Sequence, residues 1–124
     1  MEFKNVQTIY MQIVEWLSDQ ILAGKLLAGD KIPSVRESAV RFEVNPNTVM
    51  RSYDFLQKQE IILNQRGVGF FVAPDAREKI LSFRKKEFVE KELPVFYKNL
   101  YLLNISMDEI VSIYREYQQK NIEQ

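Results

Sequence analysis

The chain has 124 residues, is 46% hydrophobic, and carries 17 Lys and Arg against 17 Asp and Glu, so its formal net charge is zero. This length suffices for one compact domain, or for a small domain with a helical appendage. The sequence contains no cysteine and no histidine, which excludes disulfides and thiolate zinc sites and removes the usual general base. Because it also offers no nucleophile–base pair and no phosphate-binding loop, we expect no metal, no cofactor and no enzymatic activity.

Two properties of the whole chain bear on location and partners. No apolar run is long enough to span a bilayer, and residues 1–5 lack the apolar core of a signal peptide, so we expect a cytoplasmic protein with no membrane partner. The balanced charge argues against non-specific coating of nucleic acid. It leaves open a sequence-specific reader, which needs only a locally basic surface.

The first predicted helix spans residues 8–23 and ends at Gly24, since glycine adopts a left-handed conformation at no steric cost. Its apolar residues recur every four positions, with Tyr10 and Val14 beside the row. The row consists of Ile9, Ile13, Leu17 and Ile21. Further on, residues 31–33 are expected to form a short strand that pairs with a later hairpin, because Pro33 keeps Ile32 out of helical geometry.

Two short helices follow, each with its own start signal. Ser34 and Glu37 form a capping box, so the second helix runs from Val35 to about Phe42. Asn45 is the N-cap of the third helix, and a proline suits the first helical position that comes next. The two helices are separated by a short turn, which is helix-turn-helix spacing.

A β-hairpin is predicted over residues 61–72, where two apolar runs flank a turn with two glycines. A helix-turn-helix followed directly by a hairpin is a winged helix. At its tip, Gly67 allows close approach to another surface, and Arg66 is placed to reach a phosphate or the minor groove. The alternative is that the two glycines serve only the turn, and we favour it for Gly69.

The third helix is predicted to have a core face and an opposite, exposed face. The expected core residues are Val49, Ser52, Tyr53 and Leu56. Asn47, Thr48 and Arg51 lie one turn apart on the opposite face. Asn can bond adenine with two hydrogen bonds, Arg can do the same to guanine, and Thr offers a hydroxyl and a methyl. Any surface helix exposes such residues, but on the second helix of a helix-turn-helix with a wing they predict a face that reads the major groove.

Four segments carry a resemblance: residues 9–13, 29–37, 44–49 (Val-Asn-Pro-Asn-Thr-Val) and 66–72 (Arg-Gly-Val-Gly-Phe-Phe-Val). Together they resemble the winged helix-turn-helix domain of the GntR family of bacterial transcription regulators. The resemblance implies that Arg36 reaches the DNA, that Gly67 lies in the minor groove and that the Tyr10 hydroxyl contacts a phosphate, with a core position for Tyr10 as the alternative. The expected DNA-binding residues are Tyr10, Ser34, Arg36, Asn45, Asn47, Thr48, Arg51, Arg66 and Gly67.

Three positions depart from the family pattern. Glu43 and Glu60 stand where the family usually has glycine. A non-glycine residue with positive φ costs about 1 kcal/mol, so we expect these turns to be strained or differently shaped. Phe70 stands where a small hydroxyl residue is common, and it is therefore not included among the expected DNA contacts.

The chain after Pro74 is predicted to be helical to its end. A helix from Ala76 to Leu103 is interrupted by Pro94, which predicts a kink or break near Glu92. A capping box at residues 106–109 opens a last helix.

These C-terminal helices carry more apolar surface than they can bury on themselves. The simplest partner is a second copy of the chain, and the alternative is that they fold back on their own winged domain. The expected dimerisation residues are Leu81, Phe88, Val95, Phe96, Leu100, Leu102, Leu103, Ile110, Ile113, Tyr114 and Tyr117.

The sequence thus predicts a mainly α protein. Residues 1–74 form a winged helix-turn-helix DNA-binding domain of three helices and a β-hairpin wing, and residues 75–124 form a two-helix dimerisation appendage. Most GntR subgroups carry a far larger effector domain, so this chain resembles the YtrA subgroup, whose short two-helix tail serves dimerisation.

The resemblance also implies a function. Members of the YtrA subgroup typically repress operons that include ABC transporter genes, so we expect a homodimeric repressor of a palindromic double-stranded DNA operator. No residue identifies an effector. The alternative is a winged-helix protein-interaction adaptor without DNA binding, which the near-zero net charge favours.

Overall fold

The computed structural model describes residues 8–122 and confirms a mainly α fold with a small two-stranded wing. Its elements in chain order are α1 (Ile9–Leu22), α2 (Val35–Phe42), α3 (Pro46–Lys58), β1 (Ile62–Gln65), β2 (Gly69–Val72), α4 (Ala76–Glu87), a π-helical turn (Phe88–Glu92), α5 (Leu93–Leu103) and α6 (Met107–Ile122). The chain divides into two compact units, with the boundary between Arg84 and Lys85. The sequence-based statement about residues 1–5 lies outside the described range, in which no helix is long and apolar enough to cross a membrane.

The core of the first unit is built from one face each of α1 and α3 and from the hairpin. The buried residues of these elements include Ile13, Val14, Leu17, Ile21, Val49, Tyr53, Leu56, Ile61, Ile62 and Val72. The predicted α3 core is confirmed in full, including Ser52. The predicted α1 row is confirmed except at Ile9, which is 56% exposed because it is the first residue of the helix and the buried row begins one turn later.

The second and third helices begin where their capping residues predict. The Ser34 hydroxyl accepts a hydrogen bond from the Glu37 N–H, and the Glu37 carboxylate accepts one from the Ser34 N–H, both at 3.1 Å. The Asn45 side-chain oxygen accepts a hydrogen bond from the Asn47 N–H at 2.8 Å. The turn between the helices passes through Glu43, whose φ is 54°.

The wing is an antiparallel hairpin in which Ile62 pairs with Val72 and Gln65 with Gly69. The short strand predicted at residues 31–33 is reduced to a single bridge between Lys31 and Phe71. Two hydrogen bonds of 2.9 Å flank this bridge, from the Ile32 N–H to the Phe70 carbonyl and from the Val72 N–H to the Asp30 carbonyl.

The first part of α4 belongs to the first compact unit. Ala76 and Ile80 are buried, and the Phe83 ring packs edge-on against Phe55 with 5.3 Å between ring centroids. The Arg84 guanidinium binds the carboxylates of Glu15 at 3.1 Å and Asp19 at 2.7 Å. Apolar contacts and ion pairs therefore both hold this part of α4 in the first unit.

The second unit contains an irregularity at the position where a kink or break was predicted. The Leu93 N–H bonds to the carbonyl of Phe88, five residues back, which makes the segment Phe88–Glu92 a π-helical turn that ends just before Leu93 and Pro94. The chain is helical on both sides of this turn, so the irregularity near Glu92 is a π-helical turn and not a break. At the start of α6, the Ser106 hydroxyl accepts a hydrogen bond from the Glu109 N–H at 3.2 Å, and α5 and α6 hold no buried residue among those described.

Candidate nucleic-acid interface

The exposed stripe of α3 carries two of its three predicted base-reading residues. Asn47 and Arg51 are exposed, one helical turn apart, and Thr48 is half-buried at the edge of the stripe. Met50, which is 43% exposed, and Asp54 lie on the same side of the helix. The sequence analysis missed these two residues, although the helical period alone places them beside Asn47 and Arg51.

Tyr10 lies beside α3 and contacts it twice. The Arg51 guanidinium carbon lies over the Tyr10 ring, 4.2 Å from the ring centroid. The Tyr10 carbonyl accepts a hydrogen bond of 2.7 Å from the Ser52 hydroxyl. The structure therefore brings together two predicted DNA-binding residues from different helices, with Tyr10 half-buried between core and solvent.

A buried polar network holds the start of α2 against α3. The Tyr53 hydroxyl donates to the Pro33 carbonyl at 2.6 Å and lies 2.8 Å from the Ser38 hydroxyl. Burial raises the pKa of Tyr53, so its hydroxyl keeps its proton and remains a donor. Because Pro33 directly precedes Ser34, this network fixes the first turn of α2, where Arg36 is exposed.

The capping box has an electrostatic consequence at this same turn. The pKa of Glu37 is lowered, chiefly by the hydrogen bond from the Ser34 backbone N–H and to a smaller extent by hydrogen bonding with the Ser34 side chain. Glu37 therefore stays ionised and occupied in capping its helix. Arg36, next to it, is exposed to solvent and makes no ion pair with any residue in the described part of the chain.

The wing tip presents backbone and one cation to solvent. Arg66, Gly67 and Val68 are exposed, and the Val68 N–H closes the turn on the Gln65 carbonyl at 2.9 Å. Gly67 has φ 80°, and a Cβ there would meet nothing within 4 Å, so the turn conformation and not crowding requires the glycine. Gly69 has φ 140°, and a Cβ there would come within 2.9 Å of the Lys31 side-chain Cε, which is flexible, so the backbone conformation is again what requires the glycine.

Phe70 has a packing role. Its ring lies edge-on to Tyr53 with 5.0 Å between centroids, and it belongs to the rim of the core. A contact of this type adds to the stability gained by burial. Phe70 thereby joins the wing to α3.

The residues expected to dimerise are exposed or half-buried within this single chain. Leu102, Leu103, Ile113 and Tyr117 each expose 61–68% of their surface, and Leu100 and Ile110 are half-buried. Apolar surface on this scale is a feature of interaction sites. Within residues 8–122, no group of three or more acidic, Cys or His residues is placed to hold a metal ion.

The helix α3 is capped at its start and presents Asn47 and Arg51 to solvent. It follows α2 across a short turn, and the hairpin wing follows it in the chain. This arrangement defines a winged helix-turn-helix DNA-binding protein. Comparison with known families agrees: the model of the bacterial regulatory proteins of the gntR family matches residues 9–72. The chain belongs to the GntR family of transcription regulators.

Two relatives from Bacillus subtilis (strain 168) match along most of the chain. HTH-type transcriptional regulator YhcF is 34% identical over 110 residues, which cover 89% of each chain. HTH-type transcriptional repressor YtrA is 29% identical over 102 residues, which cover 82% of this chain and 78% of YtrA. These relatives are transcriptional regulators and not enzymes.

Solved structures agree with the fold. A GntR-family regulator from Bacteroides thetaiotaomicron is 48% identical, with a TM-score of 0.81 over 92% of this chain and 99% of that one. The DNA-binding domain of AraR, solved in complex with operator ORR3, is 30% identical, with a TM-score of 0.54 over 59% of this chain and 88% of that one.

Proposed function

We propose that this DNA-binding regulator is a homodimeric repressor that recognises a palindromic operator. Residues 1–74 read the DNA, and residues 85–124 hold two copies together, since the first part of α4 is packed into the first unit. The observation that carries the proposal is the exposed stripe of α3, on which Asn47 and Arg51 are open to solvent while the opposite face is fully buried.

The proposed DNA contacts fall into three kinds: contacts to base edges, contacts to the phosphate backbone and contacts in the minor groove. Asn47 and Arg51 read base edges, and half-buried Thr48 braces the helix in the major groove. Arg36 and Ser34 reach the phosphate backbone from the first turn of α2, and Asn45 and Tyr10 line the same side. Arg66 and Gly67 at the wing tip enter the minor groove. The AraR domain, which was solved with operator DNA, supports this arrangement by similarity of fold.

The second unit supplies the dimer contact. The exposed aliphatic and aromatic side chains of α5 and α6 lose contact with water if they pack on the same surface of another copy. Two reading helices would then lie about 34 Å apart, one turn of DNA.

Repression is supported by the relative YtrA, which is a transcriptional repressor. The 102 matched residues extend past the winged domain into the C-terminal helices. The regulated genes would include those of a transporter, as the resemblance to the YtrA subgroup implies.

A selection of bound duplexes from random DNA at near-physiological salt tests the function, with the mass in solution measured alongside. The proposal expects a palindromic motif with half-sites about one helical turn apart, bound by a dimer. A well-folded dimer that enriches no sequence would contradict it. That result would favour the protein-interaction adaptor, which the zero formal net charge also suits.

Substitution of the proposed contacts separates base reading from phosphate binding. Arg51→Ala should cost about 1–3 kcal/mol at one base pair of the selected operator and relax specificity there. Arg66→Ala, the charge-matched comparison, should weaken binding on all sequences and reduce the salt slope by about one unit. An Arg51→Ala variant that binds operator as tightly as wild type would show that the reading face is wrongly assigned.

A further inference from the structure

We infer that Tyr10 is a positioning residue for Arg51: its aromatic ring holds the guanidinium in place for base reading. The inference rests on the proposed role of α3 as the reading helix. It concerns the ring of Tyr10, whereas the expectation taken from family resemblance concerns a phosphate contact by the hydroxyl.

The contact between the two side chains is well inside the range of a cation–π interaction. The Arg51 guanidinium carbon is 4.2 Å from the Tyr10 ring centroid, and such contacts are effective to about 6 Å. Arginine is suited to this because its planar guanidinium is weakly hydrated and can stack on a ring while its edge donors remain available.

The backbone of Tyr10 is fixed relative to α3 at the neighbouring residue. The hydroxyl of Ser52, which is fully buried, donates to the Tyr10 carbonyl at 2.7 Å. This bond joins the first turn of α1 to the residue that follows Arg51. The ring is thus held in a defined place beside α3, so it can restrict the exposed Arg51 side chain, which would otherwise sample many rotamers.

Holding the Arg51 side chain in place before DNA binds favours recognition of the base. An arginine that is already held near its bound geometry loses less conformational freedom when it meets a base, and the discrimination at that base pair improves. For an exposed cation–π contact we expect an effect of about two- to fivefold. The effect should be confined to the base pair that Arg51 reads.

The experiment compares Tyr10→Phe, Tyr10→Leu, Arg51→Ala and the double variant Tyr10→Leu/Arg51→Ala. Affinity is measured for the selected operator and for each of its single base-pair substitutions. Tyr10→Phe should keep wild-type discrimination, because the ring remains. Tyr10→Leu should lose about two- to fivefold in discrimination at the Arg51 base pair only, and it should lose nothing further there when Arg51 is already alanine.

Nuclear magnetic resonance of the free full-length protein gives a readout independent of DNA and of the leucine variant's folding. In wild type and in Tyr10→Phe, the side-chain protons of Arg51 should show the upfield shift that a ring face produces, in contrast to those of exposed Arg66. An unshifted Arg51 in the wild-type protein would overturn the inference.

The binding data distinguish the ways in which the inference can fail. Equal, sequence-independent losses in Tyr10→Phe and Tyr10→Leu would assign the hydroxyl to a phosphate and overturn the positioning role. A normal Tyr10→Leu beside a defective Arg51→Ala would overturn the inference alone and leave the proposed function intact. An Arg51→Ala variant with unchanged discrimination at every base pair would overturn both.

Discussion

Glu43 and Glu60 hold left-handed backbone conformations, with φ of 54° and 60°. The family resemblance led us to expect strained or differently shaped turns at both residues, and both have the positive φ that is unfavourable for a non-glycine residue. Both side chains are exposed to solvent, but only that of Glu60 makes an ion pair, which can offset the cost of its strained backbone. The Glu60 carboxylate accepts a 2.9 Å hydrogen bond from the Lys79 ammonium.

Replacing Glu43 with glycine should stabilise the protein. Relief of the left-handed strain contributes about 1 kcal/mol, and the greater freedom of glycine in the unfolded chain offsets part of this gain. Urea unfolding of wild type and Glu43→Gly measures the difference, and Glu43→Ala is the control that shortens the side chain without relieving the strain. Glu60→Gly should gain less because it also loses the ion pair with Lys79. A lower free energy of unfolding for Glu43→Gly than for wild type would contradict this account.

Glu37 makes the stability of the fold depend on acid pH. Its pKa is lowered in the folded state by the hydrogen bond with the Ser34 backbone. A carboxyl group whose folded pKa lies below its unfolded value of 4.5 contributes stability above that value, and the contribution is lost as pH falls through the folded pKa.

Thermal unfolding between neutral pH and pH 3 tests this dependence. Glu37→Gln keeps a side-chain acceptor for the cap but cannot ionise, so the stability difference between wild type and variant should shrink as pH falls below 4.5. A difference that stays constant over this range would show that ionisation of Glu37 is not linked to folding.

At the scale of elements, the start of α3 depends on one side chain. Asn45 accepts the Asn47 N–H at 2.8 Å, and Pro46 occupies the first helical position. Asn45→Ala should therefore lower the free energy of unfolding by about 1 kcal/mol, as measured in urea.

Asn45→Asp is the matched control, since aspartate caps a helix as well as asparagine does. It should keep the stability of wild type while weakening operator binding, because it adds a negative charge beside the reading helix. If Asn45→Ala unfolded at the same urea concentration as wild type, the cap would not be what sets the start of α3.

At the scale of the whole molecule, the proposed dimer depends on apolar side chains of the second unit. Val95 on α5 exposes 58% of its surface in the single chain. Val95→Glu places a carboxylate in the proposed interface, where its desolvation opposes association. Sedimentation equilibrium should then give the mass of one chain, and operator binding should weaken because the two half-sites are no longer bound together.

Tyr101→Glu is the control for this variant. It introduces the same carboxylate on a different side of the same helix, at a residue that is 86% exposed and is not among the expected dimerisation residues, and it should leave the mass of the dimer unchanged. A Val95→Glu variant that remains dimeric at the same protein concentrations would exclude this face of α5 from the interface.

The sequence by itself determined the starts of α2 and α3, the exposed side of α3 that carries Asn47 and Arg51, and the family. The caps at Ser34 and Asn45 depend on residues no more than three positions away, and the placement of Asn47 and Arg51 on one side follows from the helical period. The π-helical turn before Pro94 is equally local, because the N–H that proline lacks affects only the adjacent turn of the helix.

The tertiary structure alone decided which distant residues meet. Ser52 and Tyr10 lie 42 positions apart, and Arg84 reaches Glu15 across 69. No local pattern encodes these contacts, because they depend on how α1 packs against α3 and on how α4 returns to α1. That packing also places the Tyr10 ring against the Arg51 guanidinium, 41 positions along the chain.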